Sequence, residues 1–100
     1  MIIIAGSLSF DPSDRDDVLA SLGEVTAASR RDAGCVEYFW SEDLESADTF
    51  RFFEVWESQE RLDAHLAQPH EAAFGARNLT RVTGATASTF EAAPIPTPSF

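Results

Sequence analysis

The chain has 100 residues, 44% of them hydrophobic, and a formal net charge of −10 at pH 7. That length makes one domain, apolar enough to bury a core and small enough that association with a second copy is a common route to stability. The acidic balance speaks against nucleic acid or an anionic membrane as partner, the absence of lysine excludes a Schiff-base or phosphate-loop lysine, and the single Cys35 excludes an intrachain disulfide.

Met1 to Ser9 reads as a strand with Ile2, Ile4 and Leu8 on one side and Ile3 and Ala5 on the other, both sides apolar or small and so both covered. Its apolar start is too short for a signal sequence or a membrane span, so the protein is expected in the cytoplasm. Asp11-Pro12 signals a helix start, and Val18, Leu22, Val25 and Ser29 form one face of a helix of about five turns that Gly34 ends. Cys35 to Glu42 is a second strand, on which Val36, Tyr38 and Trp40 alternate with Cys35, Glu37 and Phe39. A polar loop leads to a third strand from Thr49, with Phe50, Phe52, Glu54 and Trp56 on one side and Phe53 and Val55 on the other.

Ser58 is a candidate N-cap for a helix to about Ala67 whose face carries Leu62, His65 and Leu66, and Pro69 ends it. A second helical piece runs from about His70 to Asn78, and Arg81 to Glu91 is a fourth strand. Residues 92–100, with Pro94, Pro96 and Pro98 in alternation, are expected as an extended tail outside a single domain of residues 1–91. The order is β-α-β-β-α-β, an α+β arrangement of the ferredoxin-like kind. One helical layer covers one face of its sheet, so the other apolar face calls for a second copy in a two-fold dimer.

Glu54 is the most informative residue, because a carboxylate between Phe52 and Trp56 must be paired or have a raised pKa. It is either an acid, base or ligand anchor, or a structural ion-pair partner of Arg77 or Arg81. His65, on the apolar face of the helix that follows, is either a core histidine or a base that titrates near neutral pH. His70 binds a ligand or caps a turn. His65, His70 and Glu71 offer metal donors, but His70-Glu71-Ala72-Ala73-Phe74 lacks the second histidine of a zinc motif, and Pro69 keeps the two histidines off one continuous helix face. No metal, flavin or nucleotide is expected.

Phe53-Glu54-Val55-Trp56-Glu57-Ser58, Leu62-Asp63-Ala64-His65-Leu66 and Pro69-His70 resemble the signature of the antibiotic biosynthesis monooxygenase family, most closely its quinol monooxygenase branch. Ala33-Gly34-Cys35 followed by Tyr38 is similar to that branch's approach to its second strand. The resemblance implies a dimeric α+β barrel that oxidises quinols or phenolic polycycles with O2, without cofactor or metal. It does not extend to the haem-degrading branch, since Asn78 is the chain's one asparagine and the position of that branch's helix tryptophan holds His65. In this reading the catalytic residues are His65, Glu54 and Trp56, with a small aromatic substrate held by Tyr38, Phe52, Phe53, Leu62, His70 and Phe74. An isomerase using the same acid–base pair and a non-catalytic binding barrel are the alternatives.

Overall fold

The computed structural model describes residues 1–99. Strand β1 (Ile2–Phe10) leads through a 3₁₀ turn (Pro12–Asp14) into helix α1 (Arg15–Ser29). Then come β2 (Cys35–Glu42), β3 (Thr49–Trp56), α2 (Gln59–Leu66), α3 (Pro69–Asn78), a second 3₁₀ turn (Leu79–Arg81) and β4 (Val82–Glu91). The strands make one antiparallel sheet in the order β2-β3-β1-β4, so the fold is α+β and ferredoxin-like, as expected from the order of elements. Residues 92–99 form no helix or strand, although Met1 and Ala92 exchange backbone hydrogen bonds of 2.7 and 2.8 Å. Among the described residues no helix is long and apolar enough to cross a membrane.

Local chemistry sets the helix ends. Asp11 accepts from the Ser13 amide at 2.9 Å, and the turn it caps leaves α1 with 15 residues, about four turns and shorter than expected. Ser58, extended at φ −156°, accepts from the Arg61 amide and starts α2. Pro69 takes the first position of α3, where its missing N–H costs nothing. The two short helices are therefore separate rods, and they change direction between His65 and His70.

The core lies between sheet and helices. Ile2, Tyr38, Trp56 and Leu62 form one cluster, and Phe10, Val18, Leu22 and Phe50 a second, with Trp40 packed against both. Leu66 is not part of the helix face assigned to it: it is 55% exposed, whereas Leu62 and His65 are buried. The second strand also departs from simple alternation. The β2–β3 register jumps from Cys35↔Trp56 to Glu37↔Val55, so Val36 is an extra, exposed residue. The bulge puts Cys35 on the same side as Tyr38 and Trp40.

Among the described residues no helix covers the opposite face of the sheet. Its apolar end holds Ile3, Phe90 and the stacked pair Phe39–Phe53 (centroids 5.5 Å apart), and its other end has the hydroxyl pairs Ser7–Thr86 and Ser9–Thr49, each 2.8 Å. Every residue of β4 from Thr83 to Glu91 is exposed.

Gly34 turns the chain from α1 into β2 at φ +81°, where a side chain is strained. A Cβ there would also collide with the side chain of Arg61. Gly34→Ala should cost about 1–2 kcal/mol, read as a fall of about 4–16 °C in thermal denaturation. An unchanged midpoint would show that the turn tolerates a side chain.

Candidate functional site

Three segments far apart in sequence converge under α2 and α3. Asp32, in the turn after α1, bonds two histidines through one oxygen: Oδ2 lies 2.7 Å from His65 Nδ1 and 2.8 Å from His70 Nε2. The other nitrogen of His65, Nε2, faces Glu71 Oε1 at 3.1 Å and Glu54 Oε1 at 3.7 Å. Beneath the imidazole, the Trp56 ring stacks at 4.3 Å, and Tyr38 approaches edge-on at 5.8 Å. Only 1% of the His65 side chain is exposed.

A histidine with carboxylates at both nitrogens is held as an imidazolium. Burial alone would lower its pKa, but the hydrogen bonds to Glu71 and Asp32 and the nearby Glu71 and Glu54 charges outweigh burial and raise it above the ordinary 6.5. Glu54 is shifted upward too. Its burial raises the carboxyl pKa above the usual 4.5, Glu71 adds to this, and the opposing Trp56 hydrogen bond and His65 charge do not cancel the shift. Burial likewise pushes the Tyr38 phenol above its ordinary range, against the bond it receives from Trp40.

Glu54 and Glu71 open onto a cavity of about 240 Å³. Its floor is the sheet, with Leu8, Tyr38, Trp40 and Phe52, and its roof is Phe74, Gly75 and Leu79. Phe52 crosses β1 at Gly6, where an added Cβ would lie 2.6 Å from the tip of its ring. A proton released in this cavity meets the carboxylate of Glu54 or Glu71 first, with the His65 cation directly behind.

The structure therefore sorts the residues singled out from sequence. Glu54, Tyr38, Phe52 and Phe74 line the cavity, and His65 stands just behind it. Trp56 and Leu62 do not reach it: they are 0% and 3% exposed and belong to the core. Phe53 lies on the helix-free face of the sheet, as strict alternation from Phe52 requires, so it cannot touch a ligand beside Glu54. His70 bonds Asp32 and faces a different groove, next to Arg77. Neither Arg77 nor Arg81 pairs with Glu54. Both bond Asp17 on α1, at 2.7 and 2.6 Å, and Glu54 instead accepts from Trp56 Nε1 at 3.0 Å.

Pro69 does keep the two histidines on separate helices, but the break brings their rings to 5.8 Å of each other across Asp32. The donor atoms of Asp32, His65 and His70 lie within 4.8 Å of one another. A cation there would have to displace the proton that His65 shares with Asp32. Two members of the site escaped the sequence reading. Asp32 has no local signal, being one charge in the run Arg30-Arg31-Asp32, while Trp40 was accessible from its alternation with Tyr38.

The raised pKa values of His65 and Glu54 have one consequence for stability. His65 binds its proton more tightly in the folded chain, so its contribution is complete below pH 6.5 and is lost as pH rises through the raised value. Glu54 is also protonated at higher pH in the folded chain than in the unfolded one, so stability falls again as pH rises through its raised value. Thermal denaturation between about pH 5 and pH 8 should show a falling midpoint, and Asp32→Asn should flatten that fall by removing a charge that holds the imidazolium. A wild-type midpoint that climbs over this interval would contradict tighter proton binding by His65 and Glu54 in the folded chain.

With the geometry in place, the comparisons with known proteins add a family and a fold. A sequence model described as antibiotic biosynthesis monooxygenase matches residues 1–77. An uncharacterised protein of Synechocystis is 32% identical over 69 residues, which is 69% of this chain and 47% of the relative, so the chain spans about half of that protein. A crystal structure from Deinococcus radiodurans, described as a candidate antibiotic biosynthesis monooxygenase, superposes with a TM-score of 0.91 at 26% identity, covering 100% of both chains. A Mycobacterium tuberculosis protein shares the fold, with a TM-score of 0.83 at 22% identity over 98% of each chain.

Proposed function

This chain belongs to the antibiotic biosynthesis monooxygenase family, and from that membership we propose that it oxidises a compact quinol with O2, without a cofactor, using Glu54 as the group that takes the substrate's proton. The observation that carries this reading is the placement of Glu54: a carboxylate with a raised pKa, opening onto an aromatic cavity with an imidazolium behind it. Such a carboxylate is a better base than an exposed one, and the cation 3.7 Å away stabilises charge that develops in front of it.

The quinol O–H donates its proton to Glu54. The resulting anion is electron-rich enough to pass an electron directly to O2, so no flavin is needed. Walls of Trp40, Phe52 and Phe74 keep water from the radical pair while oxygen bonds to a ring carbon. Loss of water, with a proton returned from Glu54, leaves a hydroxyquinone. The net reaction is quinol plus O2 to hydroxyquinone plus water, and the quinol supplies all four electrons that O2 accepts. His65 is a positioning residue that holds charge for Glu54 and Glu71, which differs from its expected role as the base. A cavity of about 240 Å³ favours a compact quinol over a polycyclic phenol, being below the roughly 300–1,000 Å³ usual for drug-sized ligands. A phosphorylated substrate would meet two carboxylates there and no arginine.

The same reading includes a homodimer. The helix-free face ends in Ile3, Phe39, Phe53 and Phe90, and β4 has neither side covered, which supports pairing with a second copy. Sedimentation velocity at micromolar concentration should show a dimer, and a clean monomer would remove this part of the proposal.

Glu54→Gln keeps the side chain's size but cannot take the proton. With a quinol that the wild type oxidises, oxygen uptake should fall by about 10²–10⁴-fold. Trp56→Phe should lower the thermal midpoint, because the ring is 0% exposed, and should move the pH profile of oxygen uptake upward, because Glu54 loses the N–H bond that holds its pKa down. Full turnover by Glu54→Gln would take Glu54 out of the mechanism.

A further inference from the structure

The cavity has a second chemical character that proton transfer does not require. Four aromatic rings and two carboxylates meet in it: Tyr38, Trp40, Phe52 and Phe74, with Glu54 and Glu71. The Trp40 ring lies 4.9 Å from Phe52 and 5.9 Å from Phe74, and its Nε1 donates to the Tyr38 hydroxyl at 3.1 Å, so the wall is fixed before any ligand arrives. Aromatic rings attract cations through their electron-rich faces, most strongly where water is excluded.

The charge around the cavity points the same way. Three carboxylates, Asp32, Glu54 and Glu71, face two imidazoles, His65 and His70, so acidic groups outnumber the available cations and the cluster keeps an excess of negative charge. Among the described residues no arginine forms an ion pair with Asp32, Glu54 or Glu71. Arg15 pairs with Glu42, Arg51 with Asp43, and Arg77 and Arg81 with Asp17, while Arg30 bonds the Tyr38 backbone and opens onto other grooves.

We propose that this cavity recognises an organic cation: the substrate is a phenol or quinol that carries an amine or quaternary ammonium group, and anionic quinols are excluded. The ammonium group sits between the rings and the carboxylate of Glu71, and the ring hydroxyl faces Glu54. The proposal rests on the cavity being the substrate site, and it narrows the oxidation reading to one charge class of substrate.

Calorimetric titration of the full chain with three matched phenols tests it. Tyramine is cationic, 4-ethylphenol neutral and 4-hydroxyphenylacetate anionic, and binding is read without turnover under argon. Tyramine should bind at least about tenfold more tightly than 4-ethylphenol, a factor that corresponds to about 1.4 kcal/mol, and the anion should show no heat of binding. Glu71→Gln should shrink the ratio, with Glu54→Gln as the second variant should the first not fold. Equal affinities, a preference for the neutral or anionic phenol, or no binding of any of the three would overturn the proposal. So would a full preference retained in both variants. Tyramine binding without oxygen uptake from any quinol would sink the oxidation reading and leave cation recognition standing, and turnover of quinols regardless of charge would do the reverse.

Discussion

The structure depends on a buried imidazole that keeps two protons. His65 is closed off from water with Asp32 on one nitrogen and Glu71 and Glu54 on the other. Losing either proton would set a lone pair against a carboxylate in a medium that screens poorly. The neighbouring architecture serves this arrangement. Gly34 turns the chain so that Asp32 sits beside the helices, Ser58 fixes the start of α2, and Pro69 redirects α3 so that His70 reaches the same Asp32 oxygen. Trp56 fills the space below and donates its N–H to Glu54. A well-packed apolar cluster of the same volume is often as stable as such a network, so stability alone does not account for it.

On one side of β3, three alternate residues pass from core to cavity. Trp56 is fully buried, Glu54 faces both the imidazole and the cavity, and Phe52 is a wall of that cavity. The step of two residues along a strand thus places an ionisable group at the boundary between a dry core and a ligand-sized space. Glu54 owes its raised pKa to that boundary, because it is buried enough to disfavour the charge and close enough to the opening to exchange a proton.

Much of this was legible in the sequence. The β-α-β-β-α-β order follows from period-2 and period-3.6 patterning and from Asp11-Pro12, Gly34, Ser58 and Pro69, each of which acts within its own few residues. The importance of Glu54 was also readable, since a carboxylate between Phe52 and Trp56 stands out in any strand. Its pairing with His65 was readable too, but the group that holds both histidines was not. Asp32 meets His65 and His70 across 33 and 38 residues, and nothing local distinguishes it from the charges beside it. The bulge at Val36 depends on pairing with β3, which alternation within one strand cannot register. The assignment of Phe53 to the site is a different case. Alternation already set it on the far side from Glu54, and its aromatic character outweighed that geometry.

The charged groups of the site come from four places in the chain: Asp32 from the turn after α1, Glu54 from β3, His65 from α2, and His70 and Glu71 from α3. A movement of α2 or α3 against the sheet therefore changes the charge that faces Glu54, so the proton affinity of the cavity follows the packing of these two helices.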